Sequence, residues 1–188
     1  MKYFITSDRH LGHHNVINFS ARPEDFADKL WNWLKNVPDD AVLICLGDMS
    51  RRWLKLLEPL KQFKFKKILV KWNHDKDTYT KLSEYFDFVC ESFSLYRYDK
   101  YILFTHQPQF PLPENTLNIH WHFHNINLPR CMEVDYPNET YTDNHIRISC
   151  ERLNYRPIEM EHMLFGDYIQ KIQAQQNRLD SLYYKYMK

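Results

Sequence analysis

The sequence predicts a single α/β domain, and three observations carry that prediction. Short runs rich in β-branched and aromatic residues recur along the chain, amphipathic helical periods lie between the first three of them, and 188 residues suit one hydrophobic core better than two. The 44% hydrophobic and 26% charged content, with five Trp, thirteen Tyr and twelve Phe, belongs to a packed protein rather than a disordered one.

The strand-like runs are KYFITSD (2–8), AVLICLGD (41–48), KKILVKW (66–72), FVCESFSLYRY (88–98), YILFTHQ (101–107), LNIHWH (117–122) and HIRISC (145–150). Between the first two, RPEDFADKLWNWLKNV places Pro23 near a helix start, acids in the first turn, and Phe26, Leu30, Trp33 and Leu34 at helical spacing. SRRWLKLLEPLKQF shows a similar period before the third run, so the front half is read as βαβαβ. Strands dominate after residue 86, and QPQFPLPEN and DYPNETYTDN are loops on their turn chemistry. A terminal helix is expected over about 165–188, with Ile169, Ile172, Leu179 and Leu182 on the side that packs on its own domain.

Formal net charge is +1, from 25 basic and 24 acidic residues, so no global field favours nucleic acid or an anionic membrane. Cys45, Cys90, Cys131 and Cys150 form no C-x-x-C pair and are expected to be reduced core thiols. No signal peptide or membrane span is legible, and a cytoplasmic location is expected. Only three glycines occur, Gly12, Gly47 and Gly166, far below the average usage of roughly 7%.

Polar residues gather where the strand-like runs end, the rim at which open α/β sheets bind ligands. Asp8 and His10 follow the first run in SDRHLGHHN, Asp48 the second in GD, and Asn73 and His74 the third in WNHD. His106 ends FTH, and HWHFH supplies His122 and His124. Carboxylate, imidazole and amide oxygen without thiolate form the donor set of hydrolytic Mn, Fe or Zn centres, whereas structural zinc more often recruits Cys.

Together, D-R-H, GD, NHD, a lone strand-end His and H-F-H resemble the calcineurin-like metallophosphoesterase family, over residues 3 to 125 and in the family's order. The opening SDRHLGHHNVINF is similar to small prokaryotic and phage members. The resemblance implies a two-sheet β-sandwich flanked by helices, with two divalent metal ions at the strand ends: Mn²⁺ first, with Fe, Zn or Ni as alternatives. It implies that Asp8, His10 and His124 hold one ion, that Asn73, His106 and His122 hold the other, and that Asp48 bridges them. His74 is then the non-ligand histidine that stabilises phosphoryl oxygens or protonates the leaving group. The implied substrate is a small phosphodiester or phosphomonoester, a nucleotide among the candidates, attacked by a metal-bridging hydroxide.

Each block also has a plain structural reading. A GD before a helix serves as turn and N-cap, and His106 alone is as well explained as a core histidine. Five separate strand-end coincidences favour the metal reading. Arg9 and His14 are candidate substrate contacts, with His13 the alternative to His14, while His120, His145 and His162 are read as structural. The basic run KQFKFKK (61–67) is read as a solvated junction.

The chain departs from the family where Gly usually precedes the Asn-His and His-x-His pairs: Trp72 and Trp121 stand there. If the backbone φ is positive at these sites, strain of about 1–3 kcal/mol each follows. The two indoles would then obstruct the pocket or form an aromatic wall for a base. A second reading, from another class, is a catalytically weak protein-binding scaffold of the same fold.

Overall fold

The computed structural model describes residues 1–20, 22–50, 53–121, 142–148, 150–151 and 153–166. His122, His124 and most of the expected terminal helix lie outside these described residues.

Two sheets form the architecture. The first contains β1 (Tyr3–Thr6), β2 (Val42–Cys45), β3 (Lys66–Val70), β4 (Phe88–Cys90) and β9 (Ile158–Glu159), in the order β4-β3-β2-β1-β9. Its first four strands are parallel and β9 closes the edge antiparallel to β1. The second sheet runs β5-β6-β7-β8, from Phe93–Arg97, Lys100–Phe104, Thr116–His120 and His145–Arg147. Here β5 and β6 are antiparallel, and β6, β7 and β8 are parallel.

Alternation along the strands decides which layer each side chain joins. In β2, Leu43 and Cys45 face a core shared with Leu30 and Leu34 of α2 (Phe26–Leu34) and with Leu57 and Leu60. Val42 and Ile44 face the other way, into a core built with Ile102, Phe104, Ile119 and Ile146 of the second sheet. Helices therefore cover one face of the first sheet and the second sheet covers the other, a mixed α/β layering of the kind expected.

The elements differ from expectation in three places. SRRWLKLLEPLKQF forms a 3-10 helix over Leu54–Gln62 rather than an α-helix, with Pro59, which has no N–H to donate, inside it. FVCESFSLYRY divides into β4 and β5, which belong to different sheets, so the chain crosses between layers at Glu91–Ser92 without a Gly or Pro to mark it. The two-residue β9 is too short to show a period and leads directly into the helix Met160–Phe165. The remaining helices are α1 (Asn15–Phe19) and a short turn at Tyr79–Leu82. No helix among the described residues is long and apolar enough to cross a membrane.

Candidate metal centre

Parallel strands β1, β2 and β3 end on one rim, and β6 of the facing sheet brings its own end to the same place. Past the strands, the first two loops stay paired: Asp8 N donates to Gly47 O at 3.1 Å, His10 N to Asp48 O at 2.8 Å and Leu11 N to Met49 O at 2.9 Å. Asp8, His10 and Asp48 all take left-handed backbone angles, with φ of 49°, 48° and 53°. That conformation disfavours residues with a Cβ, and its presence at three candidate ligands marks local strain held by the surrounding structure.

Asp75 ties the second and third loops together. Its carboxylate accepts from the backbone N–H of Asp48 at 2.8 Å, Met49 at 2.9 Å and Trp72 at 3.1 Å. Asp48 Oδ1 in turn accepts from His74 N at 3.2 Å. Gly47, at φ 80°, is the position where a side chain is excluded: a Cβ there would sit 2.7 Å from His106 Nδ1 and 3.0 Å from Val70 O.

Two ligand-sized groups share Asp48: His10, Asp48 and His74 in one, Asp8, Asp48 and His106 in the other, with donor atoms within 4.8 Å of one another in each. His106 Nδ1 lies 2.6 Å from Leu46 O. A carbonyl only accepts, so Nδ1 carries the hydrogen and Nε2 is the nitrogen left for the centre. That Nε2 is 3.6 Å from Asp48 Oδ2 and 3.8 Å from Asp8 Oδ1. His10 Nε2 is 3.6 Å and 3.9 Å from the same two oxygens. An imidazole lone pair aimed at two carboxylates is repulsive unless positive charge sits between them, so the donor set fits a cation.

The carboxylates respond to the same crowding. Burial, followed by repulsion from Asp48 and Glu151, holds Asp8 well above the usual carboxylate range. Burial and then Asp75 push Asp48 up to about 8, and burial raises Asp75 despite its three N–H donors. A carboxyl with a higher pKa folded than unfolded keeps its proton in the native state at a pH where the unfolded chain has released it. The stability of the metal-free protein is therefore fully present below the unfolded value of about 4 and is lost as pH rises toward the folded values. Thermal melts of chelator-treated protein are expected to give a higher Tm at about pH 5 than at about pH 8, with saturating Mn²⁺ abolishing the difference. A metal-free Tm that rises across this interval would contradict the crowding.

Of the expected ligands, Asp8, His10, Asp48 and His106 converge, and Asn73 is exposed beside half-buried His74. The grouping differs from the one the resemblance implies, since His106 lies with Asp8 and Asp48, and His74 falls at ligand distance from His10 and Asp48. Two substrate assignments change. His14 is exposed at the start of α1, whereas the His13 ring lies 5.5 Å from His10 and 5.9 Å from His74, so His13 is the histidine that faces the centre.

Arg9 is fully buried, with Nη1 donating to Tyr155 O at 2.8 Å. Its Nε and Nη2 have no hydrogen-bond partner among the described residues, and burial pulls its pKa down to about 10. Arg9→Met is expected to fold with a stability within about 1 kcal/mol of the parent or above it, since apolar replacement of a poorly paired buried charge is often neutral or stabilising. Metal-dependent KM should be unchanged; a raised KM at unchanged Tm would return Arg9 to the substrate.

Neither tryptophan has positive φ, so the strain anticipated at Trp72 and Trp121 is absent. Trp121 is 1% exposed and belongs to the interior, which removes it from any pocket wall. Trp72 stacks on the His106 ring at 5.5 Å and 17°, and with Lys71, Asn73 and Glu91 it lines an open cavity of about 310 Å³. A larger cavity of about 370 Å³, between α2 and the β9 edge, is lined by Trp33, Arg156 and His162 and contains none of the candidate ligands. Cys45, Cys90 and Cys150 are free thiols, and burial raises the pKa of each. Cys131 lies outside the described residues.

No protein-family model matches the chain. The crystal structure of a protein of unknown function from Aquifex aeolicus has a TM-score of 0.68 and 29% identity, covering 86% of this chain and 97% of that one. The two share a fold. An uncharacterised protein of Methanocaldococcus jannaschii is 26% identical over 174 residues, 85% of this chain and 88% of its own length. A phosphoesterase from E. coli gives a TM-score of 0.39 at 16% identity, over 65% of this chain and 69% of that one. Asp75, His13, Arg22 and Glu151 are the site residues that the motif blocks do not assign; His13 is signalled by its place in SDRHLGHHN and Asp75 by its place after a ligand pair in WNHD, while Arg22 and Glu151 carry no such signal.

Proposed function

We propose that this chain is a dinuclear-metal-dependent phosphoesterase of the calcineurin-like type. The observation that carries the reading is Asp48, shared by two groups of ligand atoms, with the Nε2 atoms of His10 and His106 each 3.6 Å from its Oδ2. Asp8, His10, Asp48 and His106 would hold the ions, with Asn73, His122 and His124 as the further ligands that the resemblance implies. Bound there, two divalent cations would lower the pKa of water and stabilise the charge of a phosphoryl group under in-line attack.

The protein's own groups do the rest. Leu46 O fixes the His106 tautomer and Trp72 stacks against the ring, so Nε2 is presented without rotational freedom. Asp75 holds the Asp48 and Trp72 loops at a fixed separation through its three accepted hydrogen bonds. His74 is half-buried at the rim, with its ring 5.0 Å from His10 and its backbone N–H on Asp48. From that position it would hold a proton for the leaving oxygen. Exposed Asn73 and half-buried Lys71, which line the 310 Å³ cavity, favour a small substrate approaching from that side.

The scaffold alternative draws on altered loops and a terminal helix. Trp72 and Trp121 themselves keep ordinary φ, and residues 122–141 and 167–188 lie outside the described residues. Hydrolysis of bis(p-nitrophenyl) phosphate and p-nitrophenyl phosphate, by metal-stripped and Mn²⁺-loaded protein, separates the readings. Turnover of either substrate that requires Mn²⁺ is the expected result. Metal-loaded, folded protein inert toward both would favour the scaffold.

A further inference from the structure

Arg22 and Glu151 belong to none of the motif blocks, yet they form a buried ion pair directly behind the first of them. Their side chains are 0% and 4% exposed, with Nη2 at 2.6 Å and Nε at 2.8 Å from Glu151 Oε1. The same guanidinium donates through Nη2 to Asp8 O at 2.6 Å and through Nη1 to Arg9 O at 2.8 Å. Cys150 Sγ donates to Asp8 O at 3.3 Å, and Ser7 Oγ donates to Ile148 O at 2.5 Å. Three residues distant in sequence, Ile148, Cys150 and Glu151, thus cradle the loop that carries Asp8 and His10.

We infer that the Arg22–Glu151 pair is a positioning device that fixes the Asp8–His10 loop in its ligand-presenting conformation. Asp8 and His10 stand at φ 49° and 48°, a region that needs support from outside the loop. The two carbonyls, those of Asp8 and Arg9, lie on the peptide planes either side of Arg9 and both accept from one planar donor fork, so the guanidinium holds the segment between the two left-handed residues from outside the loop. A lysine ammonium, a point donor on a flexible stem, does not reproduce a fork that serves two carbonyls and a carboxylate together. Glu151 completes the device, because its Oε1 accepts from Nη2 and Nε and so orients the fork, and a guanidinium buried without that carboxylate is left as an uncompensated charge. Arg22 is itself anchored, with its backbone N donating to Ile17 O at 3.0 Å and its guanidinium carbon 5.2 Å from the centroid of the Phe26 ring.

The inference rests on the metal reading, and the test keeps the two apart. Full-length parent, Arg22→Met, Arg22→Lys and Glu151→Gln are titrated with cobalt(II) chloride and followed by visible absorption, with Tm recorded without metal. Leu60→Ala, in the 3-10 helix core, serves as a control that loses stability without touching the loop. We expect Arg22→Met and Arg22→Lys to weaken Co²⁺ binding by about 10–100-fold, the range seen when groups supporting metal ligands are removed, and to alter the absorption envelope. Glu151→Gln should shift both in the same direction, and Leu60→Ala should lower Tm while keeping the parent spectrum and affinity. If Arg22→Met fails to fold, Arg22→Lys and Glu151→Gln decide. Parent affinity and spectrum in those two variants would overturn the positioning role, as would an equal loss in Leu60→Ala. A parent that takes up no Co²⁺ would overturn the metal reading itself.

Discussion

Asp48→Asn is expected to leave a folded protein whose Mn²⁺-dependent hydrolysis is lowered by about 10³-fold or more, equivalent to about 4 kcal/mol of transition-state stabilisation. The fold should survive because the backbone of Asp48 makes most of its structural contacts: its N–H donates to Asp75 and its carbonyl accepts from His10. The asparagine oxygen can still accept from His74 N. What is lost is the negative charge that both ligand groups share. The metal-free variant should also have a higher Tm than the metal-free parent, since a buried carboxylate next to Asp8 and Asp75 has been neutralised. A site built for metal sacrifices stability when metal is absent, and removing the charge reverses that trade. Activity and Tm equal to the parent's would show that Asp48 is not the shared ligand.

His74→Gln should reduce kcat by about 10²–10⁴-fold, the usual range for a general acid, while retaining most of the metal. The ring approaches His10 edge-on at 5.0 Å, and one of its nitrogens falls within ligand reach of His10 and Asp48. Proton donor and ligand are therefore both geometrically open, and metal content tells them apart. Loss of metal in parallel with activity would move His74 into the ligand set. Retained metal, with the alkaline limb of the kcat–pH profile altered, would place it on the leaving group.

The strand positions and the convergence of Asp8, His10, Asp48 and His106 are legible in the sequence, because parallel strands deliver their C-terminal ends to one rim whatever their order in the sheet. The supporting groups are less legible. Arg22 meets Glu151 across most of the chain, and neither residue type signals its partner at that distance. The glycine scarcity proves informative in an unforeseen way: left-handed positions that glycine would usually fill are taken by Asp8, His10 and Asp48 themselves. The strain sits on the candidate ligands rather than on Trp72 and Trp121. Arg9, a candidate substrate contact by its place between two candidate ligands, is fully buried with its Nη1 on Tyr155 O, which sequence adjacency does not reveal. The choice of His14 over His13 fails for a related reason, since the chain turns into α1 at His14 and only His13 stays over the centre.

The central claim is that Asp48 joins two sets of ligands into one centre. Electron paramagnetic resonance of the Mn²⁺-saturated parent tests it most directly, because two Mn²⁺ ions sharing a carboxylate are magnetically coupled and isolated ions are not. An exchange-coupled spectrum that reverts to uncoupled Mn²⁺ in Asp48→Asn is the result expected. An uncoupled spectrum in the parent at full occupancy would contradict the shared bridge.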